Sequence, residues 1–423
     1  MVSFHHFMLI YYYGITTPRA PHHYPKFEFW FRSLIGPIVV NQGLKLGIFF
    51  MLPSRTMTNR YLLKGGLQSM GDATVRRIPR LALPVAGGVL ANYFLMDIGA
   101  FKWVPRLASR TWSTWSYWQN FDNVMVFVDA FISLWWSSPP IQPALVTGYA
   151  TGVLWTIPVI VEGTWTTLIC ALIAHEIKNA YKRFTFYALC ISLSWYANTW
   201  DLFFMAGLVV ADLDSKLNYQ EWAAKGVPII PEVVRRGLHL PERVSKLRVH
   251  GQVFAWALFL AGWTQQYLSQ IPTSPGQGFD NREHAIHPDW KTEEPHSWSD
   301  GGGNSYTDPR VASWILSFSF LLLTDLSSLL RAFFRLRIWS YIGKHAFAVF
   351  LMHGVVFWTW SAWLCLTMLA AGAPYWATIL VVFVTSYGML FMVAECFTAT
   401  FDTWGGLLSK AVWRATSGGL GRK

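Results

Sequence analysis

The sequence predicts an all-α fold, a polytopic transmembrane helical bundle. Hydrophobic residues make up 53% of the 423 residues and charged residues only 13%, whereas soluble domains carry about a quarter charged residues. The 24 tryptophans and 30 phenylalanines are spread along the chain, which is typical of helices that meet lipid and the membrane interface. Because apolar segments alternate with short basic clusters, we expect many of these helices to cross the bilayer.

The formal net charge of +11 does not indicate a nucleic-acid partner. The basic residues fall in short clusters between apolar segments, rather than along one surface as nucleic-acid-binding proteins have them. Such clusters are typical of cytoplasmic loops. The four cysteines, at positions 170, 190, 365 and 396, lie in apolar surroundings without C-x-x-C spacing. The sequence therefore predicts neither a disulfide framework nor a metal site.

About ten segments are apolar enough to be candidate membrane spans. The first is incomplete, because crossing a bilayer core takes about 20 residues and this segment has 13. Two long ones are interrupted, one by Pro158 and the other by residues 198–201, so we expect them to be bent, tilted or split. The predicted segments are 1–13, 35–53, 80–99, 121–136, 146–175, 184–213, 251–271, 311–330, 338–369 and 375–399.

Loop charge predicts the orientation of the C-terminal half. The loop 214–250 is basic and is expected to be cytoplasmic, whereas the loop 272–310 is acidic and is expected to be lumenal or extracellular. Counting the later spans places the basic C-terminus on the cytoplasmic side again. The whole chain, 1–423, is interpreted as one multi-pass membrane domain.

Ionisable side chains within or beside apolar segments are costly, so each is a functional candidate. For any one histidine, a structural hydrogen bond to a backbone carbonyl is an equally good interpretation, and only the combination favours a functional site. The candidates are His5, His6, Glu162, His175, Asp201, His345, His353 and Glu395.

Three arginines, Arg76, Arg77 and Arg80, occur in VRRIPRLALPV at a predicted membrane edge. One interpretation is anchoring by positive charge on the cytoplasmic side. The other is a phosphate-binding site, because the planar guanidinium group suits bidentate phosphate contacts. A coenzyme with phosphates and a nonpolar acyl end would suit such a site.

Glu162, in LWTIPVIVEGTW, follows an apolar stretch and needs a polar partner or water. One interpretation is a helix-end residue that reaches solvent. The other is a carboxylate that orients a catalytic imidazole and stabilises its charged form.

Six segments, in this order, resemble the acyltransferase 3 family of integral-membrane O-acyltransferases, and most of all its fungal members. They are GIFFMLPSRTMTNRYLL, VRRIPRLALPV, LWTIPVIVEGTW, DLFFMAGLVVADL, YIGKHAFAVFLMHG and SYGMLFMVAECFTATFD, and together they extend over nearly the whole chain. The resemblance implies an enzyme that transfers an acyl group, commonly acetyl, from acyl-CoA as co-substrate. The acceptor would be a hydroxyl of a carbohydrate, a lipid or a secondary metabolite.

The resemblance also implies site residues. It makes His6 the essential histidine, with His5 as the alternate, and it places Arg76, Arg77, Arg80 and Glu162 on the family's arginine-rich and glutamate motifs. The family's first-helix arginine would lie five residues upstream of Met1, so the start of the first helix is expected to be missing. For His345 and His353, in the family's late histidine-bearing segment, packing and acceptor contact are the two interpretations.

The expected mechanism is direct transfer with a histidine general base, because the unperturbed pKa of histidine lies near neutrality and no cysteine sits in a nucleophile motif. The arginines would hold the coenzyme phosphates and the coenzyme would not stay bound. Two alternatives remain open. One is a secondary transporter, although no internal repeat is visible. The other is a non-catalytic membrane protein derived from the family.

Overall fold

A computed structural model describes residues 2–16, 21–36, 42–113, 124–135, 149–228, 248–269, 275–287 and 309–417. The described chain is helical, apart from a two-residue antiparallel pairing of β1 (Val227–Pro228) with β2 (Arg248–Val249). It divides into two units, of which the first is Met1–Val40, Gly71–Glu162 and Ser340–Lys423. The second is Asn41–Met70 and Gly163–Trp339.

Nineteen α-helices are defined in the described residues. The first ten are α1 (Val2–Tyr11), α2 (Tyr13–Thr16), α3 (Pro25–Leu34), α4 (Gln42–Lys64), α5 (Leu67–Asp97), α6 (Val104–Thr111), α7 (Val124–Ser133), α8 (Thr156–Glu176), α9 (Ala180–Tyr196) and α10 (Asp201–Leu217). The others are α11 (Tyr219–Lys225), α12 (Gly251–Ser269), α13 (Pro275–Ile286), α14 (Val311–Leu326), α15 (Ser328–Phe334), α16 (Arg337–Val356), α17 (Ala362–Ala370), α18 (Tyr375–Phe397) and α19 (Thr403–Thr416). A 3₁₀ turn, Ala150–Trp155, leads into α8, and π-helical turns, Phe357–Ser361 and Thr398–Asp402, follow α16 and α18.

In the first unit, α5 and α19 run antiparallel with glycines at their contact. Gly71 faces the Trp413 ring, and Gly405 lies against the carbonyl of Arg80 and the ring of Pro84. Small residues at such contacts let helix backbones approach closely, which is how membrane helices gain packing energy without a hydrophobic driving force. This contact fixes α5, which carries the three arginines, beside the C-terminal helix.

The second unit is built around α4, α10, α12 and α14. Gly207 of α10 lies against the backbone of Met51, and the Ser54 hydroxyl donates to the Phe204 carbonyl at 2.6 Å. An almost fully buried ion pair joins Arg183 Nε to Asp212 Oδ2 at 2.7 Å. Arg183 lies on α9 and Asp212 on α10, so the pair joins the two helices. Separating the helices would leave each charge without its partner, which is costly in a buried place.

Only some of the ten predicted spans are supported. Four helical segments are long and apolar enough to cross a membrane: Leu67–Asp97, Gly152–Glu176, Arg337–Ala370 and Tyr375–Thr416. A fifth is possible if α14 and α15, which meet at 94°, form one bent span. The prediction of about ten is thus not supported in the part of the chain that the structure describes.

The predicted segments that do not qualify as membrane spans fail for different physical reasons. The segment 1–13 contains the ten-residue helix α1. The segment 184–213 overlaps two helices of 17 residues each, which are about 25 Å long at 1.5 Å per residue. The predicted split of 184–213 is present, with Asn198 in a left-handed conformation between the two helices. The 19-residue α12 is continuous but contains three glutamines, which lower its mean hydropathy.

Most of the loop 272–310 lies outside the described residues, as does 229–247 of the basic loop. The described parts are α13 in the acidic loop, and α11 with the short β pairing in the basic one. The membrane sidedness of both loops stays a prediction.

The glycine contact between α5 and α19 leads us to expect that Gly405→Ala and Gly406→Ala differ in their free energy of unfolding. A Cβ on Gly405 would meet the Arg80 carbonyl, whereas a Cβ on the adjacent Gly406 would point into open space. We expect Gly405→Ala to destabilise the protein by about 1–3 kcal/mol through overpacking. Gly406→Ala should be neutral or slightly stabilising, because alanine favours helix. Thermal unfolding of both variants in detergent measures the difference, and equal melting temperatures would contradict the packing.

Candidate active site

Two histidines that are far apart in the sequence meet inside the first unit. His6 Nδ1 on α1 lies 2.7 Å from His353 Nε2 on α16, a hydrogen-bonding distance. The side chains are buried, with exposed fractions of 6% for His6 and 0% for His353. The sequence singled out both residues, but it did not predict that they form a pair.

The position of α1 is fixed by hydrogen bonds near the pair. Tyr11 Oη donates to the carbonyl of Phe357 at 2.6 Å, and the Tyr375 hydroxyl donates to the carbonyl of Tyr11. The Phe7 ring packs edge-on against Phe357 and Phe383. A ten-residue helix is marginal on its own, so these contacts hold His6 in place.

A π-helical turn, Phe357–Ser361, begins four residues after His353. In a π turn the backbone hydrogen bonds shift by one residue, and such turns often occur at functional sites. Here the carbonyl of Phe357 accepts from Tyr11, and the Val356 carbonyl accepts from Ser361 Oγ at 3.1 Å. The widened turn thus supplies the anchor for α1 next to the histidine pair.

His5 lies beside His6, also buried, with the two ring centroids 5.9 Å apart. Consecutive helical residues point about 100° apart around the axis, so the two rings face different neighbours. His6 makes the hydrogen bond to His353, which favours His6 over His5 as the residue of interest.

The three arginines lie on one stretch of α5. Helical spacing puts Arg76 and Arg77 within one turn of Arg80, on a shared face. Arg76 Nη1 contacts both carboxylate oxygens of Asp72, at 3.1 and 3.2 Å, and Arg80 is exposed. The Nε atoms of Arg76 and Arg77 are buried and have no hydrogen-bond acceptor among the described residues. An anion would reach these two donors only after the surrounding side chains moved, because neither nitrogen is open to solvent.

Glu162 lies on α8, six residues after the start of the helix, and its side chain is exposed. Because the side chain is exposed, water can solvate its carboxylate at that position. Its predicted role as the partner of an imidazole stays a prediction.

The remaining candidates of α16 and α18 form a second cluster. His345 is fully buried, with Nδ1 3.0 Å from Thr398 Oγ1 and Nε2 2.7 Å from Glu395 Oε2. The contact with Glu395 is close but poorly aligned for a hydrogen bond, and it is an ion pair only when His345 is protonated. Because the cluster ties α16 to α18, its simplest role is structural.

Sequence reasoning missed another histidine–carboxylate contact. His22 Nδ1 lies 2.7 Å from Glu28 Oε2, and Glu28 Oε1 accepts from the backbone N–H groups of His23 and Tyr24. The fully buried Glu28 thus accepts hydrogen bonds from backbone N–H groups just before α3, as side chains at helix starts commonly do. The contact lies outside the predicted spans, and no spacing pattern marked it.

His175 and Asp201 belong to the second unit. The His175 ring packs against Tyr61, with centroids 4.9 Å apart, and Asp201 opens α10. A carboxylate in the first turn interacts favourably with the helix dipole. These two residues have structural roles in the described contacts.

Comparisons of the chain with models of known families, with curated proteins and with solved structures found no match in any of the three. The resemblance to the acyltransferase 3 family therefore stays a prediction that depends on the quoted residues.

The anchoring of α1 predicts the effect of a single hydroxyl. Tyr11→Phe removes the hydrogen bond to the Phe357 carbonyl, so we expect a loss of about 0.5–1.5 kcal/mol in the free energy of unfolding. Tyr24→Phe, at an exposed tyrosine of the same unit, is the matched control and should change little. Chemical denaturation in detergent measures both. Equal stabilities would show that the hydroxyl does not anchor α1.

Proposed function

We propose that this chain is a multi-pass membrane O-acyltransferase. It moves an acyl group, acetyl in the simplest case, from acyl-CoA to a hydroxyl of a carbohydrate, lipid or secondary metabolite. The observation that carries the proposal is the buried hydrogen bond between His6 and His353. A histidine in an apolar helix bundle, held by a second histidine, is suited to accept a proton from a hydroxyl.

The reaction needs one group that first takes a proton and then returns it. The acceptor hydroxyl attacks the thioester carbonyl, and His6 takes the hydroxyl proton as the new C–O bond forms. The C–S bond then breaks, and the leaving sulfur receives that proton from the imidazolium as the coenzyme thiol. The products are the ester and CoA, and His6 is neutral again, so neither a net proton nor a covalent enzyme intermediate is required.

Burial of the pair favours transfer over hydrolysis. Excluding water from the reacting atoms prevents it from competing with the acceptor hydroxyl. Burial also disfavours a charged imidazole before the reaction, and a base must be neutral to accept a proton. Glu162, if it comes close to His6 when substrates bind, would stabilise the imidazolium that forms.

The arginines of α5 would bind the phosphates of the coenzyme. Arg77 supplies a buried Nε donor, and Arg76 shares its charge with Asp72. The contact of Gly405 with the Arg80 carbonyl, and that of Gly71 with Trp413, put this stretch beside the part of α19 that carries Lys410. Positive charge from both helices then collects at one end of the unit, which favours a cytoplasmic coenzyme site and a cytoplasmic C-terminus.

The function is tested with purified protein, [1-¹⁴C]acetyl-CoA and a panel of hydroxyl acceptors. His6→Ala should lower transfer about 10²–10⁴-fold, the usual contribution of a general base, whereas His5→Ala should retain most of it. His22→Ala is the matched control for a histidine outside the pair. Loss with His22→Ala instead of His6→Ala would move the base to the His22–Glu28 contact. Wild-type protein that transfers no acetyl group but accumulates solute in vesicles would favour the transporter.

The coenzyme site is tested by binding alone. Arg77→Met should weaken CoA binding about 10–100-fold, the loss of one charge-assisted hydrogen bond. Asp72→Asn should strengthen binding, because it releases Arg76. Arg110→Met, at an exposed arginine of α6, is the control. Calorimetry measures all three, and equal dissociation constants for Arg77→Met and Arg110→Met would contradict the phosphate site.

A further inference from the structure

We propose that His353 is a positioning residue, which holds His6 in the tautomer protonated at Nδ1 and so makes His6 Nε2 the atom that accepts the proton. This proposal rests on the proposed function, in which His6 is the base. It assigns a role to a residue for which the sequence left packing and acceptor contact as the two interpretations.

The first step concerns the proton on His353. Its Nδ1 lies 3.1 Å from the carbonyl oxygen of Val349, one turn earlier on α16. A carbonyl oxygen can only accept, so the hydrogen of this bond belongs to His353 Nδ1. A neutral imidazole carries one N–H, so His353 Nε2 presents a lone pair.

The second step transfers this constraint to His6. His6 Nδ1 lies 2.7 Å from that lone pair, so His6 must be the donor. A neutral His6 then carries its hydrogen on Nδ1, and its Nε2 presents the lone pair. The Val349 carbonyl therefore determines which nitrogen of His353 carries the hydrogen, and His353 in turn determines which nitrogen of His6 does.

The third step is the chemical consequence. In serine hydrolases a carboxylate accepts from Nδ1–H of the catalytic histidine, and loss of the correct tautomer is costly. Here a neutral imidazole accepts the same hydrogen, so no charge is buried beside His6 by this contact. The His353 ring also meets Phe357 edge-on, with centroids 5.6 Å apart, which limits its rotation. His353 therefore sets both the orientation and the tautomer of His6.

The competing reading is an interhelical hydrogen bond that only ties α1 to α16. Both readings predict a loss of stability when the bond is removed, so stability alone does not separate them. The tautomer of His6 and the response to a substitution that keeps an acceptor do separate them.

The experiment combines kinetics with ¹⁵N NMR of histidine-labelled protein in detergent. His353→Leu removes the acceptor, whereas His353→Gln keeps a carboxamide oxygen for His6 Nδ1–H. We expect His353→Leu to lower kcat about 10–100-fold with little change in KM for acetyl-CoA, and His353→Gln to restore most of kcat. In the spectra, with His6 assigned from the His6→Ala variant, wild-type His6 should be protonated at Nδ1, and His353→Leu should shift it towards Nε2 protonation.

His345→Leu is the matched control, a buried histidine of the same helix with a hydrogen bond to Thr398. It should lower the melting temperature and leave the His6 tautomer unchanged. Wild-type His6 protonated at Nε2, or equal kcat for His353→Leu and wild type, would overturn the proposal. Correct tautomers in a protein that transfers no acetyl group would leave the hydrogen-bond assignment standing and reject the proposed function. If His353→Leu does not fold, the wild-type spectrum and His353→Gln still decide.

Discussion

The hydrogen bond between His6 and His353 is the constraint on which the rest of the site depends. Two buried imidazoles would each cost free energy if they lacked partners, and the bond satisfies one nitrogen of each ring. The bond also joins a short N-terminal helix to the last turn of α16, and Tyr11, Tyr375 and Phe7 keep that helix in register. A proton-accepting group thereby gains a fixed position in an apolar interior.

The distribution of charge in the first unit also reflects the cost of placing charged groups in an apolar interior. The imidazoles of His6 and His353 occupy the buried interior, whereas guanidinium groups collect where α5 meets α19, near other basic side chains. Charges are expensive in an apolar medium and are best kept at its edge. A substrate with a charged end and an uncharged reactive end fits this division: its phosphates would stay with the arginines while its thioester enters the bundle. The π turn after α16 contributes by supplying a carbonyl that anchors α1.

The helical class and the break at Asn198 followed from composition and local sequence, because hydropathy and turn residues act over short distances. The number of spans did not, since several apolar segments fold into helices too short or too polar to count as candidate spans. His6 and His353 were both candidates because they lie in apolar segments, and the role of His6 came from a family resemblance. Their pairing could not be predicted, because 347 residues separate them and only the fold brings them together. Asp72, four residues before Arg76, was a local signal that helical spacing would have revealed.

Chemical rescue tests the central claim, that the His6 imidazole accepts the proton in acyl transfer, most directly. In His6→Gly the missing ring leaves a space beside His353 that free imidazole fits. The account predicts that His6→Gly transfers little acetyl group from acetyl-CoA, and that added imidazole restores transfer in proportion to its concentration while it leaves His22→Ala unaffected. Wild-type rates of transfer by His6→Gly without imidazole would contradict it.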